Sequence, residues 1–266
     1  MHFVEACLLA GALTVVLGNG ALYAWRAWID GAAGCDRSEQ LGLLDAAGAF
    51  VRECFATAVV VLLFPLGWVL PRCRGRSGRG AVVLLPGWGL NRAALLCLQR
   101  RLRRGGWGPV CCVEWLHRRD IDSAARAVHE MVRALPQVPT TLIAFGGGGL
   151  VARYYLRRYP APRIRRLVTL GTAHGGSEVA RLGGRALRSF VPGSKLLRTL
   201  QAADRVPQQF DVIAIHSRYD ALILPPHNAE YPGAFNVQVN DVGHFSLLFS
   251  RKIYRLLAEN LDAPLA

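Results

Sequence analysis

From Phe3 to Trp25 the chain runs 23 residues with a single charged side chain, Glu5. At roughly 1.5 Å per helical residue, that is long enough to cross a bilayer core of about 30 Å. A second apolar run, Ala47 to Leu70, contains FATAVVVLLFPLGWVL, with Arg52 and Glu53 near its start and Pro65 placed to kink it. The pattern therefore predicts two long helices, at about 3–25 and 47–70. No Lys or Arg precedes the first run and no small-residue cleavage site closes it, so it reads as a retained anchor and not as a signal peptide. A short acidic loop separates the two runs, and the second is followed by the basic Gly/Arg/Ser stretch RCRGRSGRG. That arrangement predicts a membrane hairpin in residues 1–79; the alternative is a pair of helices buried in a larger soluble core.

Beyond Gly80 the pattern changes to short apolar or β-branched runs separated by amphipathic segments of helical length. This alternation predicts an α/β unit over residues 80–266 with a mostly parallel sheet. Strands are expected at AVVLLP from Ala81, PVCCVEW from Pro109, TTLIAF from Thr140, RRLVTLG from Arg165, FDVIAIH from Phe210 and AFNVQV from Ala234. Helices are expected near Arg92 to Arg104, Asp122 to Leu135, Gly149 to Arg158 and Ser246 to Leu261.

Composition sharpens the picture at three points. The 266 residues are 52% hydrophobic and 19% charged, with a mean hydropathy of +0.24, which excludes a disordered chain. The formal charge is +14, carried by 30 arginines and only two lysines, Lys195 and Lys252. No interleaved aromatics, metal-type Cys/His spacing or recognition-helix pattern accompanies that charge, so the expected partner is lipid and membrane, not nucleic acid. Arg72, Arg74, Arg76 and Arg79 follow the second run at once. Counted by the positive-inside rule, they predict a multi-pass protein of the inner (cytoplasmic) membrane with its C-terminal unit facing the cytoplasm. The seven cysteines are odd in number and irregularly spaced, which reads as buried or free thiols in a reducing compartment.

The chemistry concentrates in TTLIAFGGGGLVARYYLRR, Thr140 to Arg158, where a buried strand passes through a Gly cluster straight into a helix. A phosphate-binding loop is the competing reading, but no Lys-Ser/Thr comes after the glycines. The stretch resembles the nucleophile elbow of bacterial lipases and esterases of the α/β-hydrolase fold, which usually reads like GHSMGGLVARYYL. In that alignment Gly146 takes the place of the nucleophilic serine, and Gly148 to Leu156 match the downstream half of the motif.

The resemblance extends over most of residues 80–266. LLPGWGLNR, Leu84 to Arg92, resembles the oxyanion loop, with Pro86 where a histidine is usual. It implies that the amides of Trp88 and Gly147 face a developing oxyanion. TLGTAHGGS, from Thr169, resembles a strand end of these lipases, and VPGSKLLRTL, from Val191, resembles a segment of a small cap over the site. IHSRYDALILPP carries Asp220 and NDVGHFSLLFS carries His244 in the segments that deliver the triad acid and base, in the chain order expected for this fold.

The resemblance thus implies an α/β-hydrolase fold with a Ser-His-Asp site that has glycine at the serine position, no cofactor and no metal, and the apolar runs place a two-helix transmembrane hairpin before it. The ligand implied is a lipid or small acyl ester. Ser177 and Ser246 fall near the site in family terms but off the elbow, and a water activated by His244 would be a slow substitute. Three readings stay open: an impaired membrane-anchored ester hydrolase, a non-catalytic acyl-ligand binder, and a membrane interaction module. His174, His216 and His227 read as groups supporting the site or as surface groups, without zinc-type spacing. The Arg runs at 99–104, 117–120 and 163–167 read as solvated faces, or as docking faces toward an anionic leaflet.

Overall fold

The computed structural model describes residues 2–32, 43–75, 78–114, 120–202 and 210–262. Two long helices come first, α1 (His2–Ala32) and α2 (Leu43–Leu63). The chain breaks at Phe64–Pro65 and resumes as a single turn, α3 (Leu66–Val69), so the kink expected at Pro65 separates two helices.

Among the described residues, seven strands form one sheet: β1 (Cys73–Arg74), β2 (Ala81–Leu85), β3 (Val110–Cys112), β4 (Thr140–Phe145), β5 (Ile164–Leu170), β6 (Asp211–Ser217) and β7 (Phe235–Val239). Their spatial order is β1-β3-β2-β4-β5-β6-β7, and every pair is parallel except β1 with β3. All six expected strands are present, and β2 and β4 are buried along their whole length, as strands covered on both faces must be.

Alternation along the strands sorts the core into two layers. Val82, Leu84, Ile143 and Phe145 point one way, toward α4 (Leu96–Arg104) and α9 (Arg251–Asp262). Val83, Leu85, Leu142 and Ala144 point the other way, toward α5 (Ile121–Ala134) and α6 (Gly148–Arg158). Asp120 stops α5 from fraying by accepting the Ser123 amide. A group of short elements comes after β5: a 3-10 stretch Glu178–Gly183, α7 (Gly184–Leu187), a 3-10 turn Arg188–Phe190 and α8 (Lys195–Gln201). Its apolar side, with Phe190, Leu197 and Leu200, rests on Leu150 of α6 and on Trp88.

Four expectations need correction. β1 lies where a linker is expected; it is an edge strand whose Cys73 pairs in register with Cys111. The two cysteines form a disulfide, so the thiols are not all free, although Cys54, Cys97 and Cys112 are. Two residues are too short a strand to show a periodicity, and the bond is set by cross-strand register, not by sequence spacing. The Arg runs are not wholly solvated: Arg166 is buried and ion-paired with Asp211, and Arg101 donates to the carbonyls of Phe249 and Ser250. The last helix is interrupted, a 3-10 turn Phe245–Leu248 preceding α9. Trp115 to Arg119, and with them most of the Arg run at 117–120, lie outside the described residues.

Candidate functional site

Four glycines, Gly146 to Gly149, carry the chain from β4 through a two-residue turn into α6, and three of them have separate reasons to be small. Gly146 has φ +51°, a left-handed conformation that strains any side-chain-bearing residue. A Cβ on Gly148 would lie 2.5 Å from the Pro86 carbonyl oxygen, and one on Gly149 would lie 2.1 Å from Thr172 Oγ1. The loop after β2, the loop after β5 and the start of α6 therefore meet with no room for a side chain on the helix. Thr172 Oγ1 donates to the Gly146 carbonyl at 2.9 Å and the Gly146 amide donates to the Leu170 carbonyl, which hold the turn from both sides.

His244 comes from the loop after β7 and Asp220 from the loop after β6. His244 Nδ1 lies 2.6 Å from Asp220 Oδ2, while Asp220 Oδ1 accepts the Leu222 amide at 2.8 Å. The acid is 1% exposed and the histidine 8%. Burial alone would lower the histidine's pKa, but the Asp220 carboxylate and its hydrogen bond outweigh burial, so the pKa stands above the usual value. The other ring nitrogen faces the elbow: a Cβ added to Gly146 would lie 3.3 Å from His244 Nε2.

Trp88 and Gly147 are neighbours across the turn, a Cβ on Gly147 coming within 3.3 Å of the Trp88 amide nitrogen. Neither amide donates to a backbone carbonyl among the described residues. The sequence-predicted residues Gly146, Gly147, Trp88 and His244 line one cavity of about 180 Å³. Its remaining wall is chiefly apolar, with Leu90, Phe145, Leu150, Phe190 and Ile223, and Asp220 lies behind the histidine. Trp88 packs edge-on against Phe190 of the 3-10 turn Arg188–Phe190, ring centroids 5.3 Å apart.

The two serines named from sequence hold loops together. Ser177 Oγ donates to the Leu222 carbonyl, and Ser246 Oγ accepts the Gly243 amide. His174 is buried between Arg153 and Thr169, and desolvation, then the Arg153 charge, push its pKa far down, so it is neutral. His216 is buried and its pKa is lowered by burial; His227 is exposed. No cluster of three or more metal-ligating side chains occurs among the described residues.

Sequence reasoning missed two side chains that reach these loops. Glu53 of α2 accepts the amides of Phe245 and Ser246, and Arg26 of α1 donates to the Asp220 carbonyl. The available signal was Glu53 inside the second apolar run and Arg26 directly after the first.

No family model matches the sequence. Among solved structures the chain is similar to lipase B of Aspergillus fumigatus, with a TM-score of 0.53 and 14% identity over 70% of this chain and 54% of that one. It is also similar to a bromoperoxidase from Bacillus anthracis (TM-score 0.55, 15% identity, 71% and 94% covered). An esterase from Exiguobacterium antarcticum is comparable (TM-score 0.54, 14% identity, 72% and 95% covered). The chain spans about half the length of the Aspergillus lipase. At these identities the likeness shows the fold, the α/β-hydrolase fold, as the sequence motifs led us to expect.

Proposed function

We propose that the chain is a membrane-bound α/β-hydrolase unit of the lipase and esterase type whose site has lost its nucleophile. Gly146 occupies the serine position, His244 is the base, Asp220 fixes and charges the base, and the amides of Trp88 and Gly147 are the oxyanion donors. The observation that carries this reading is the 3.3 Å between His244 Nε2 and a Cβ built on Gly146: one hydroxymethyl group would complete a nucleophile–base–acid row. Removing that nucleophile costs on the order of a millionfold in turnover, and binding with the oxyanion donors leaves about a thousandfold over water. The chain as it stands is thus an impaired hydrolase or a pseudoenzyme for acyl esters.

A second reading, a non-catalytic binder of acyl ligands, is supported by the same cavity: an apolar wall ending at two free amides and an imidazole suits an acyl chain with a polar head. The experiment is hydrolysis of short and medium acyl esters by the detergent-purified protein, by Gly146→Ser and by Gly146→Ser/His244→Ala. Activity in Gly146→Ser alone, lost with His244, is expected. Activity of the unmodified chain that depends on His244 overturns the missing-nucleophile reading. Inactivity of all three moves the binding reading ahead.

Residues 1–79 we read as the membrane-attaching part and 80–266 as the hydrolase. Leu44–Leu63 is long and apolar enough to cross a bilayer, with a mean hydropathy of 1.8. Large side chains stand exposed on both helices, Leu13 and Leu17 on α1 and Val51, Phe55 and Leu62 on α2, as a lipid-facing surface requires. Two observations point to opposite sides of the membrane. The basic residues at 72–79 favour a cytoplasmic hydrolase unit, whereas the Cys73–Cys111 disulfide belongs to an oxidising compartment. A reporter active only outside the cytoplasm, fused after Ala266, decides between them.

A further inference from the structure

The buried positions of α2 are Ala49, Glu53, Ala56 and Val60, spaced four, three and four apart, so one stripe of this helix faces the α/β unit. A tether would fill that stripe with apolar side chains. Instead its centre is a carboxylate only 3% exposed, which is costly to bury unless strong hydrogen bonds meet it. They do: Glu53 Oε1 accepts the Phe245 amide at 2.6 Å and Oε2 accepts the Ser246 amide at 3.0 Å. These amides open the 3-10 turn whose cap residue is His244, and the turn itself leaves them without partners. Gly243 makes room for the contact, since a Cβ there would stand 2.5 Å from Glu53 Oε2.

The other two loops of the site are reached in the same way. Arg26 of α1, 4% exposed, donates through Nη1 to the Asp220 carbonyl at 2.8 Å. Asn91, three residues after Trp88, donates through Nδ2 to the Phe64 carbonyl at the end of α2 at 2.7 Å. The helices are joined to each other by Asn19 Nδ2 on Thr57 Oγ1 and by an edge-on contact of Tyr23 with Phe50.

We infer that α1 and α2 are a brace for the site, and that Glu53 and Arg26 are positioning residues that hold the His244 and Asp220 loops at the elbow. The inference rests on the roles proposed above for Asp220 and His244. The helices and the site then form one mechanical unit, and the hydrolase part without residues 1–79 loses the geometry of its base.

The test uses the full chain in detergent, labelled with ¹⁵N, with the His244 signals assigned by their loss in His244→Gln. Solvent exchange is followed at the His244 Nδ1 proton and at the amides of Phe245 and Ser246. In Glu53→Ala, exchange at all three accelerates on the order of tenfold to a hundredfold, the loss expected for hydrogen bonds to a charged acceptor. Glu53→Gln, whose amide offers one acceptor oxygen, loses protection at one of the two amides. Arg26→Met accelerates exchange at the His244 Nδ1 proton, and Phe55→Ala, 71% exposed on the far side of α2, changes nothing. In the Gly146→Ser background Glu53→Gln lowers kcat and leaves KM unchanged.

Unchanged exchange in a folded Glu53→Ala overturns the inference. If that variant does not fold, full protection of both amides in Glu53→Gln overturns it equally. An inactive Gly146→Ser with the exchange effects intact rejects the hydrolase reading and leaves the brace standing; activity in Gly146→Ser that is indifferent to Glu53 does the reverse.

Discussion

His244 and Asp220 are joined Nδ1 to Oδ2 at 2.6 Å in a setting almost closed to solvent, and the second carboxylate oxygen is already held by a backbone amide. The acid is therefore fixed in orientation before the histidine meets it, and the ring has one rotational choice that makes the bond. This leaves Nε2 directed at the elbow.

That bond sets a pH dependence. The pKa of His244 is raised, so the stability contributed by its pairing is fully present below the ordinary histidine value of about 6.5 and declines as pH climbs through the higher folded value. Urea midpoints of the native chain and of His244→Gln, compared between about pH 5.5 and about pH 9 to bracket that range, should differ most at the acid end. In Gly146→Ser the base must be neutral to accept a proton. Its kcat/KM for an acyl ester should accordingly rise with pH, with a midpoint above the ordinary histidine value.

Arg166 and Asp211 face each other as register partners on β5 and β6, with Nη2 2.7 Å from Oδ2. Arg166 is only 5% exposed at its side chain, so Arg166→Met removes the counter-charge of a carboxylate that is 22% exposed, whereas Asp211→Asn takes the carboxylate away from a buried guanidinium that still donates to the Asn260 carbonyl. We expect Asp211→Asn to cost more, on the order of 3 kcal/mol against about 1–2 for Arg166→Met. The double variant should recover part of the loss in a urea melt. Equal, additive losses would mean that the pair contributes no coupling.

The sheet was legible because its strands are continuous apolar runs, and TTLIAF and AVVLL sit where their β-branched and apolar positions put them. That Gly146, Asp220 and His244 come together was legible for a different reason: glycine spacing and the Asp220 and His244 segments are local strings, and the fold brings their ends together at the C-terminal edge of the sheet. Contact between distant segments could not be read. Cys73 finds Cys111 through cross-strand register, and Arg166 finds Asp211 in the same way. Glu53 and Phe245 are 192 positions apart, and hydrophobicity alone makes α2 look like a free membrane span. The polar residues of an apolar helix were the clue, since each needs a partner inside the protein.

Two glycines near the site, Gly148 of α6 and Gly89 of the loop after β2, separate two kinds of constraint, and substitution should tell them apart. Gly148→Ala places a methyl 2.5 Å from the Pro86 carbonyl and 2.7 Å from the Leu85 carbonyl, both backbone atoms of the strand and loop that carry Trp88. Neither can yield without moving the loop that carries Trp88, so we expect a loss of about 2–3 kcal/mol, at the upper end for an overpacked core position. Gly89 has φ +80° but nothing within 4 Å of its Cβ, so Gly89→Ala meets only the backbone preference and should cost about 1 kcal/mol. Guanidinium melts of the two variants measure the difference directly. In the Gly146→Ser background Gly148→Ala should also lower kcat if the proposed oxyanion role of Trp88 holds, because the displaced loop carries its amide away. A Gly148→Ala protein with native stability would mean that the loop and helix are not in the close contact on which the site's geometry depends.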